Sequence, residues 1–311
     1  MNEYYALGEP YLFVLDYEKT EGICILTKDI PDDLVKFSLD SKSNELCPPV
    51  SLQFSFNSIS FTDYQLKFEQ ALNQINLGNS YLCNLTQPSS LQINLNLEEI
   101  YKYSKALYKL YIKDFFVVFS PETFVEIIDG EIYTHPMKGT ISADKEENKE
   151  ILLNDEKEDA EHNTIVDLLR NDLSIVANMV RVNKFKYLQK IETNRGSIWQ
   201  MSSEIRGIVK SEYKNHPGSL FDKILPAGSV TGAPKDKTVS ILHEIENYDR
   251  GFYTGVFGYC DGKNIKSAVM IRFIEQTENG LIYKSGGGIT SLSKPEQEYQ
   301  ELIQKVYVPV F

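Results

Sequence analysis

Apolar positions recur with two different periods along this chain. In residues 62–77, Tyr64, Leu66, Phe68, Ala71, Leu72 and Ile75 repeat at helical spacing, and Gly78 follows as a helix C′ residue. Residues 155–169, 238–245 and 295–306 predict three further helices. For the last of these, Ser293 reads as the N-cap, Pro295 falls in the first turn, and Glu296 completes a capping box. Short apolar runs at 11–15, 23–27, 115–119 and 124–128 predict strands. Asp129-Gly130 reads as a hairpin turn into a strand at 131–135. Runs at 266–274 and 281–284 flank a second hairpin signal, Glu278-Asn279-Gly280. Residues 36–50 are polar and turn-rich. Hairpins and segregated helices, without a βαβ rhythm, predict an α+β protein with antiparallel sheet. No repeat or linker interrupts residues 1–311, so one domain is expected.

The chain has 311 residues, 42% of them hydrophobic, which is ample for a packed core. No apolar run approaches the roughly 18 residues that span a bilayer. The start lacks a basic n-region and an apolar h-region, so a cytoplasmic protein is expected, not a membrane one. Cys24, Cys47, Cys83 and Cys260 form no C-x-x-C pair, which argues against a zinc knuckle or a dithiol site. A formal charge of −12 argues against nucleic acid as a partner. An anionic ligand would need a local positive site, made from Arg, Lys, backbone N–H groups or a metal ion.

Five constellations carry chemistry. Glu158 and Glu161 share a helix face with Ile165, Leu168 and Leu169, and Glu298 and Glu301 repeat that spacing on the last helix. Four such carboxylates suit a hard divalent cation; they equally suit plain surface charge on an acidic protein. Residues 225–235, Leu-Pro-Ala-Gly-Ser-Val-Thr-Gly-Ala-Pro-Lys, form a small-residue loop before a helix, fit either for an anion or for an ordinary turn. Ser229 and Lys235 are its side-chain candidates. Gly286-Gly287-Gly288 closes a strand and offers backbone N–H groups to an anion, or a bulge. Glu122 and Lys138 flank the Asp129-Gly130 hairpin, which would bring acid and amine to one end of the ribbon, as catalyst or as ion pair. Arg272 interrupts an apolar strand and calls for a carboxylate, from the protein or from a ligand.

Taken in order, several of these segments resemble one family. They are Pro136-Met-Lys-Gly-Thr140, Glu158-Asp-Ala-Glu161 with its continuation to Asp172, Ala227-Gly-Ser-Val-Thr-Gly-Ala-Pro-Lys235, Arg250-Gly-Phe-Tyr253, Ile271-Arg272, and Gly286-Gly-Gly-Ile289 through Glu298-Tyr-Gln-Glu301. Together, over about residues 64–308, they resemble the chorismate-binding enzymes. The resemblance implies a sandwich of two antiparallel sheets flanked by helices, the chorismate-utilising enzyme fold. It implies Mg²⁺ bridging protein carboxylates and the ring carboxylate of chorismate, with Glu158, Glu161, Glu298 and Glu301 as the metal-site acids. Tyr253, Arg272 and the Gly287-Gly288 backbone match the enolpyruvyl carboxylate site. Ser229 is the loop hydroxyl, and Glu122 matches the acid that protonates the departing ring hydroxyl.

Within the family, Lys138 resembles the aminodeoxychorismate synthase branch, whereas anthranilate synthases resemble Pro-x-Ala-Gly-Thr there. Ser229-Val-Thr231 resembles the same branch. Leu82 and Cys83 stand where isochorismate and salicylate synthases carry a water-activating lysine. Gln200 departs from the frequent His at its position. The expected reaction is amination of chorismate to 4-amino-4-deoxychorismate in para-aminobenzoate and folate synthesis. Ammonia is expected from a separate glutamine amidotransferase subunit in a heterodimer, since no glutaminase segment is visible. The short part before residue 63 predicts weak or absent tryptophan control. Anthranilate synthase component I and a non-catalytic chorismate binder are the competing expectations.

Overall fold

The computed structural model describes residues 1–40, 48, 51–193 and 196–310. The chain folds as two compact units, each assembled from separate stretches. The first comprises Met1–Leu12, Thr123–Leu225 and Gly258–Ser267; the second comprises Phe13–Glu122, Pro226–Phe257 and Ala268–Phe311. Strand pairing is antiparallel in two sheets, with helices besides, so the protein is α+β as the pattern predicts.

In the first unit, strands run in the order Met137–Ser142, Gly196–Val209, Glu131–Thr134, Thr123–Ile128. Ala177–Thr193 pairs along Gly196–Val209. Asp129 and Gly130 both take positive φ, 51° and 84°, which is what a two-residue hairpin turn needs. The ribbon ends at Thr134, however. Met137–Ser142 pairs with Gly196–Val209 instead, through Met137↔Ser202 and Thr140↔Gln200. The expectation that the hairpin itself aligns Lys138 with Glu122 is therefore corrected: Lys138 lies on a strand with a different partner. Behind this strand, Leu152, Trp199 and Met201 form a small core with Ile141 and Leu188 packed on it. The helix Glu156–Val176 runs two turns beyond the predicted 155–169.

The second unit holds an eight-stranded sheet. Its order is Gly232–Ala233, Leu82–Ile93, Gly280–Ile289, Phe273–Thr277, Phe116–Ser120, Tyr108–Ile112, Val35–Ser38, with Phe54–Asn57 on Leu82–Ile93. Val35–Ser38, at the start of the stretch read as polar and turn-rich, is a strand; residues 41–47 and 49–50, Cys47 among them, lie outside the described residues. The helix Phe61–Asn76 buries Tyr64, Phe68, Ala71 and Ile75, and Gly78 takes φ +75° as its C′ residue. These side chains share one core with Cys83, Leu85, Ile241, Leu242, Ile245, Ile289 and Leu302. The expected strand at 266–274 is two strands, Ile265–Val269 and Phe273–Thr277. Arg272 sits in the break at φ +55°, not within a strand. The helix Pro295–Gln304 takes Lys294 as its N-cap, with no side-chain capping bond. Ser293, expected there, instead receives the Thr290 N–H at 3.1 Å.

Candidate active site

Glu122 follows the strand Phe116–Ser120 and one proline. Its N–H donates to Ser120 Oγ at 3.1 Å, and its C=O accepts Val269 N–H at 3.1 Å, so the backbone is held from both sides. Ser229 Oγ donates to Glu122 Oε1 at 2.5 Å. Burial pushes the Glu122 carboxyl above the usual carboxylate range. The Ser229 bond and the charges of Arg272 and Lys305 pull the other way and lose. A carboxyl so placed keeps its proton at a pH where an exposed glutamate has lost it, which is what a general acid requires.

Ser229 stands in a 3₁₀ turn, Gly228–Val230. The loop then adds the short strand Gly232–Ala233 to Leu82–Ile93, with Gly232 opposite Cys83. Lys235 is the first residue of the helix Lys235–Glu246 that follows.

Arg272 is fixed through its backbone, because its C=O accepts Phe119 N–H at 3.1 Å. Its guanidinium carbon lies 5.2 Å from the centre of the Tyr307 ring. Its Nε is buried and makes no hydrogen bond among the described residues. A buried guanidinium N–H of this kind can donate to a carboxylate oxygen. Tyr253 is buried, its N–H on Arg250 C=O at 3.1 Å, and burial pushes its phenol up so that it stays an O–H donor. The structure thus brings Glu122, Ser229, Arg272 and Tyr253 into one electrostatic neighbourhood.

On the last helix, Glu298 is 5% exposed and Glu301 pairs with Lys305 at 2.7 Å. Lys305 Nζ also donates to Gly286 C=O at 2.8 Å. A Cβ at Gly287 would lie 3.6 Å from Glu298 Oε2, 3.9 Å from Glu301 Oε1 and 4.0 Å from Lys305 Nζ. The glycine strand therefore runs beside the acidic pair. A Cβ at Gly288, on the same strand, would meet Leu82 Cδ1 at 3.2 Å. Tyr64 lies near both acids: burial, then Glu298 and Glu301, push its phenol up. Lys305, between Glu301 and the Gly286 carbonyl, is a residue of this cluster that the sequence pattern did not single out. Its i,i+4 spacing from Glu301 was the available signal.

In the first unit, Lys138 Nζ lies 2.7 Å from Glu161 Oε2, both side chains being partly covered. Gly139 takes φ +81°, and a Cβ there would meet Glu158 Oε2 at 3.0 Å. Lys138-Gly139 and Glu158/Glu161 are thus in contact, strand on helix. His162, on the same helix, is fully buried, with Nε2 2.7 Å from Ser203 Oγ. Burial lowers its pKa to about 4, so it stays neutral. Ser203 N–H in turn donates to Pro136 C=O at 2.9 Å, tying helix and strand together just before Lys138.

Among the described residues no three His, Cys, Asp or Glu side chains form a ready cage for a metal ion. The donor chemistry nevertheless fits a hard cation. Glu161 and Glu301 each hold an ammonium at 2.7 Å, and each belongs to an i,i+3 carboxylate pair. A divalent ion with few protein ligands, completed by water and substrate oxygens, is the kind these pairs suit. Among the described residues no helix is long and apolar enough to cross a membrane.

The chain is 46% identical over 313 residues to an uncharacterised PabA-like protein of Pasteurella multocida, covering 99% of this chain and 97% of that one. It is 31% identical over 282 residues to aminodeoxychorismate synthase component 1 of Bacillus subtilis, covering 85% of this chain and 58% of that one. The crystal structure of anthranilate synthase component I from Streptococcus pneumoniae superposes with a TM-score of 0.70 at 29% identity, over 84% of this chain and 60% of that one. Residues 27–310 match the family model described as chorismate binding enzyme, and the chain belongs to that family.

Proposed function

We propose that the protein aminates chorismate with ammonia to give 4-amino-4-deoxychorismate and water. The observation that carries this reading is the Ser229–Glu122 pair: a half-buried carboxyl with a raised pKa, close to an arginine whose Nε lacks an acceptor among the described residues. It supplies a proton donor for a leaving hydroxyl and a cation for a substrate carboxylate. Lys138 supplies the other half. In a first displacement the neutral Lys138 amine bonds to the ring, the C–O bond at the hydroxyl-bearing carbon breaks, and the Glu122 proton leaves with the hydroxyl as water. In a second, ammonia forms the C–N bond and the lysine amine departs. A proton of the substituted ammonium returns to Glu122, so the sum is chorismate plus ammonia to product plus water.

Arg272, Tyr253 and the N–H groups of Gly287 and Gly288 orient the enolpyruvyl carboxylate. Lys235 adds positive charge at the start of its helix. Mg²⁺ is the proposed cofactor, with Glu158, Glu161, Glu298 and Glu301 as its ligands; when bound it supplies positive charge to the ring carboxylate. Ammonia is proposed to come from a glutamine amidotransferase subunit. The name of the B. subtilis relative supports the reading, and Lys138 favours it over the alternative.

The second reading, formation of anthranilate and pyruvate, is favoured by the likeness to the S. pneumoniae enzyme. The test is incubation with chorismate, Mg²⁺ and ammonium, with mass spectrometry of the product before and after an aminodeoxychorismate lyase is added. An amine that only the lyase converts to para-aminobenzoate is expected. Anthranilate without lyase would establish the second reading, and unchanged chorismate would leave a binding protein.

A further inference from the structure

We infer that Arg250, clamped by Glu246, is a positioning residue that sets the Ser229–Glu122 contact by gripping the loop carbonyl next to Ser229. The inference rests on the proposed role of Glu122 as the acid. Arg250 and Glu246 are both 3% exposed and form a two-pronged pair: Nε to Oε2 at 2.8 Å and Nη2 to Oε1 at 2.6 Å. A pair this deep costs much desolvation, and one prong with one partner would not recover it. The guanidinium's remaining donors go to two backbone carbonyls and one hydroxyl. Nη1 donates to Val230 C=O at 2.9 Å and to Thr254 Oγ1 at 3.3 Å; Nη2 donates to Asn84 C=O at 2.7 Å. Its carbon lies 4.4 Å from the centre of the Tyr17 ring.

Three strips of chain thus meet on one side chain: the Ser229-Val230 loop, the Leu82–Ile93 strand and the turn that carries Tyr253. Asn84 Nδ2 adds a second donor to Val230 C=O at 3.0 Å. Glu246 is fixed in its turn by Thr86, whose N–H and Oγ donate to Oε1 at 2.8 and 2.9 Å. Lysine at 250 would keep the charge but could not reach all these acceptors in one plane.

The charged and titratable groups facing Glu122 are Arg272, Lys305 and Tyr253, with Ser229 as its hydrogen-bond donor. The Ser229 bond favours the ionised carboxyl, so its loss raises the Glu122 pKa. The alkaline limb of kcat, where Glu122 loses its proton, then moves to higher pH.

The experiment compares kcat–pH profiles of wild type, Ser229→Ala, Arg250→Lys and Asn84→Ala, with chorismate, Mg²⁺ and ammonium as substrates and circular dichroism to verify folding. Ser229→Ala is expected to move the alkaline limb up by roughly one pH unit. Arg250→Lys should move it the same way, with a kcat loss of about tenfold to a hundredfold. Asn84→Ala, which leaves the ion pair intact, should move it less, and it keeps the test available if Arg250→Lys does not fold. The double variant Ser229→Ala/Arg250→Lys should shift the limb no further than Ser229→Ala alone. A limb that moves with Ser229→Ala but with neither Arg250→Lys nor Asn84→Ala overturns the inference and spares the role of Glu122. A limb unmoved even by Ser229→Ala overturns that role and the inference with it.

Discussion

The Lys138 ammonium rests 2.7 Å from Glu161 Oε2, so the proposed nucleophile is paired with a proposed metal ligand. An ammonium has no lone pair, so this amine must lose a proton before it can attack. A cation bound at Glu161 would take this partner from Lys138, which favours loss of the ammonium proton to solvent and so the neutral amine. Glu161→Gln also removes that pairing, but it should still lose most activity, by about a hundredfold or more, because the proposed metal site loses an anionic oxygen. Glu301→Gln should do likewise on the other helix. Steady-state rates against Mg²⁺ concentration measure this; full turnover of wild type in excess chelator would contradict it.

Lys138→Ala should nearly abolish 4-amino-4-deoxychorismate formation while chorismate binding persists, since the proposed lysine–ring bond would form only during the reaction. Intact-protein mass spectrometry of an ammonia-starved wild-type reaction should show a chorismate-derived adduct on Lys138. Wild-type rates of the same product from Lys138→Ala would reduce the lysine to a neutralising charge.

Arg272→Ala should weaken chorismate binding by about 2–4 kcal/mol, the worth of a charge-assisted contact in a desolvated site. Arg272→Lys should recover only part of this, because an ammonium lacks the planar fork. Isothermal titration with chorismate decides the point, and an unchanged Kd in Arg272→Ala would remove the carboxylate role.

Part of this site was legible before the fold was known. The helix Phe61–Asn76 and the Asp129-Gly130 turn follow from local spacing and local backbone preference, and both stand where the pattern put them. The break at Arg272 was not legible. Residues 266–274 read as one apolar strand, but Met270 N–H bonds to Gly255 C=O and Phe119 N–H to Arg272 C=O. Partners that distant in sequence leave no mark in periodicity. The change of partner at Met137 was hidden for the same reason: Ser202 lies 65 residues along the chain (202 − 137). Ser293 looked like a cap by residue type, yet Lys294 is the residue at the extended-to-helical junction. Composition cannot distinguish adjacent cap positions.

Glu122 also sets a pH dependence of stability. Burial raises its pKa in the folded state above that in the unfolded chain. The folded state therefore holds the proton more tightly, and this contribution is fully present below the unfolded carboxylate pKa. It is lost as pH rises through the folded value. Glu122→Gln has no proton to lose. Its thermal midpoint should accordingly gain on that of wild type as pH rises from the ordinary carboxylate range. Parallel midpoint curves for the two proteins across that range would mean that the carboxyl is not raised.

Two glycines near the site should respond to alanine in opposite ways. Gly232 takes φ +123°, a conformation that side chains rarely adopt, and a Cβ there would stand 1.8 Å from Leu82 C=O. Its neighbours are backbone and Thr238, so little can give way. Gly232→Ala must break the pairing of Gly232 with Cys83 and release the loop that presents Ser229. The backbone strain alone costs about 1–3 kcal/mol, before the lost pairing is counted. Thermal unfolding should show a clear drop in midpoint, together with a fall in kcat. At Gly287 the nearest atoms to an added Cβ are side-chain ends at 3.6 Å and beyond, an ordinary contact distance. Gly287→Ala should keep the midpoint within a few degrees, about the effect of a small surface change. Its methyl would nevertheless stand beside Glu298, Glu301 and Lys305, where substrate and metal ion are proposed to lie, so KM for chorismate should rise. Equal losses of midpoint in the two variants would mean that Gly287 serves the fold, and an unchanged KM in Gly287→Ala would remove that strand from the binding site.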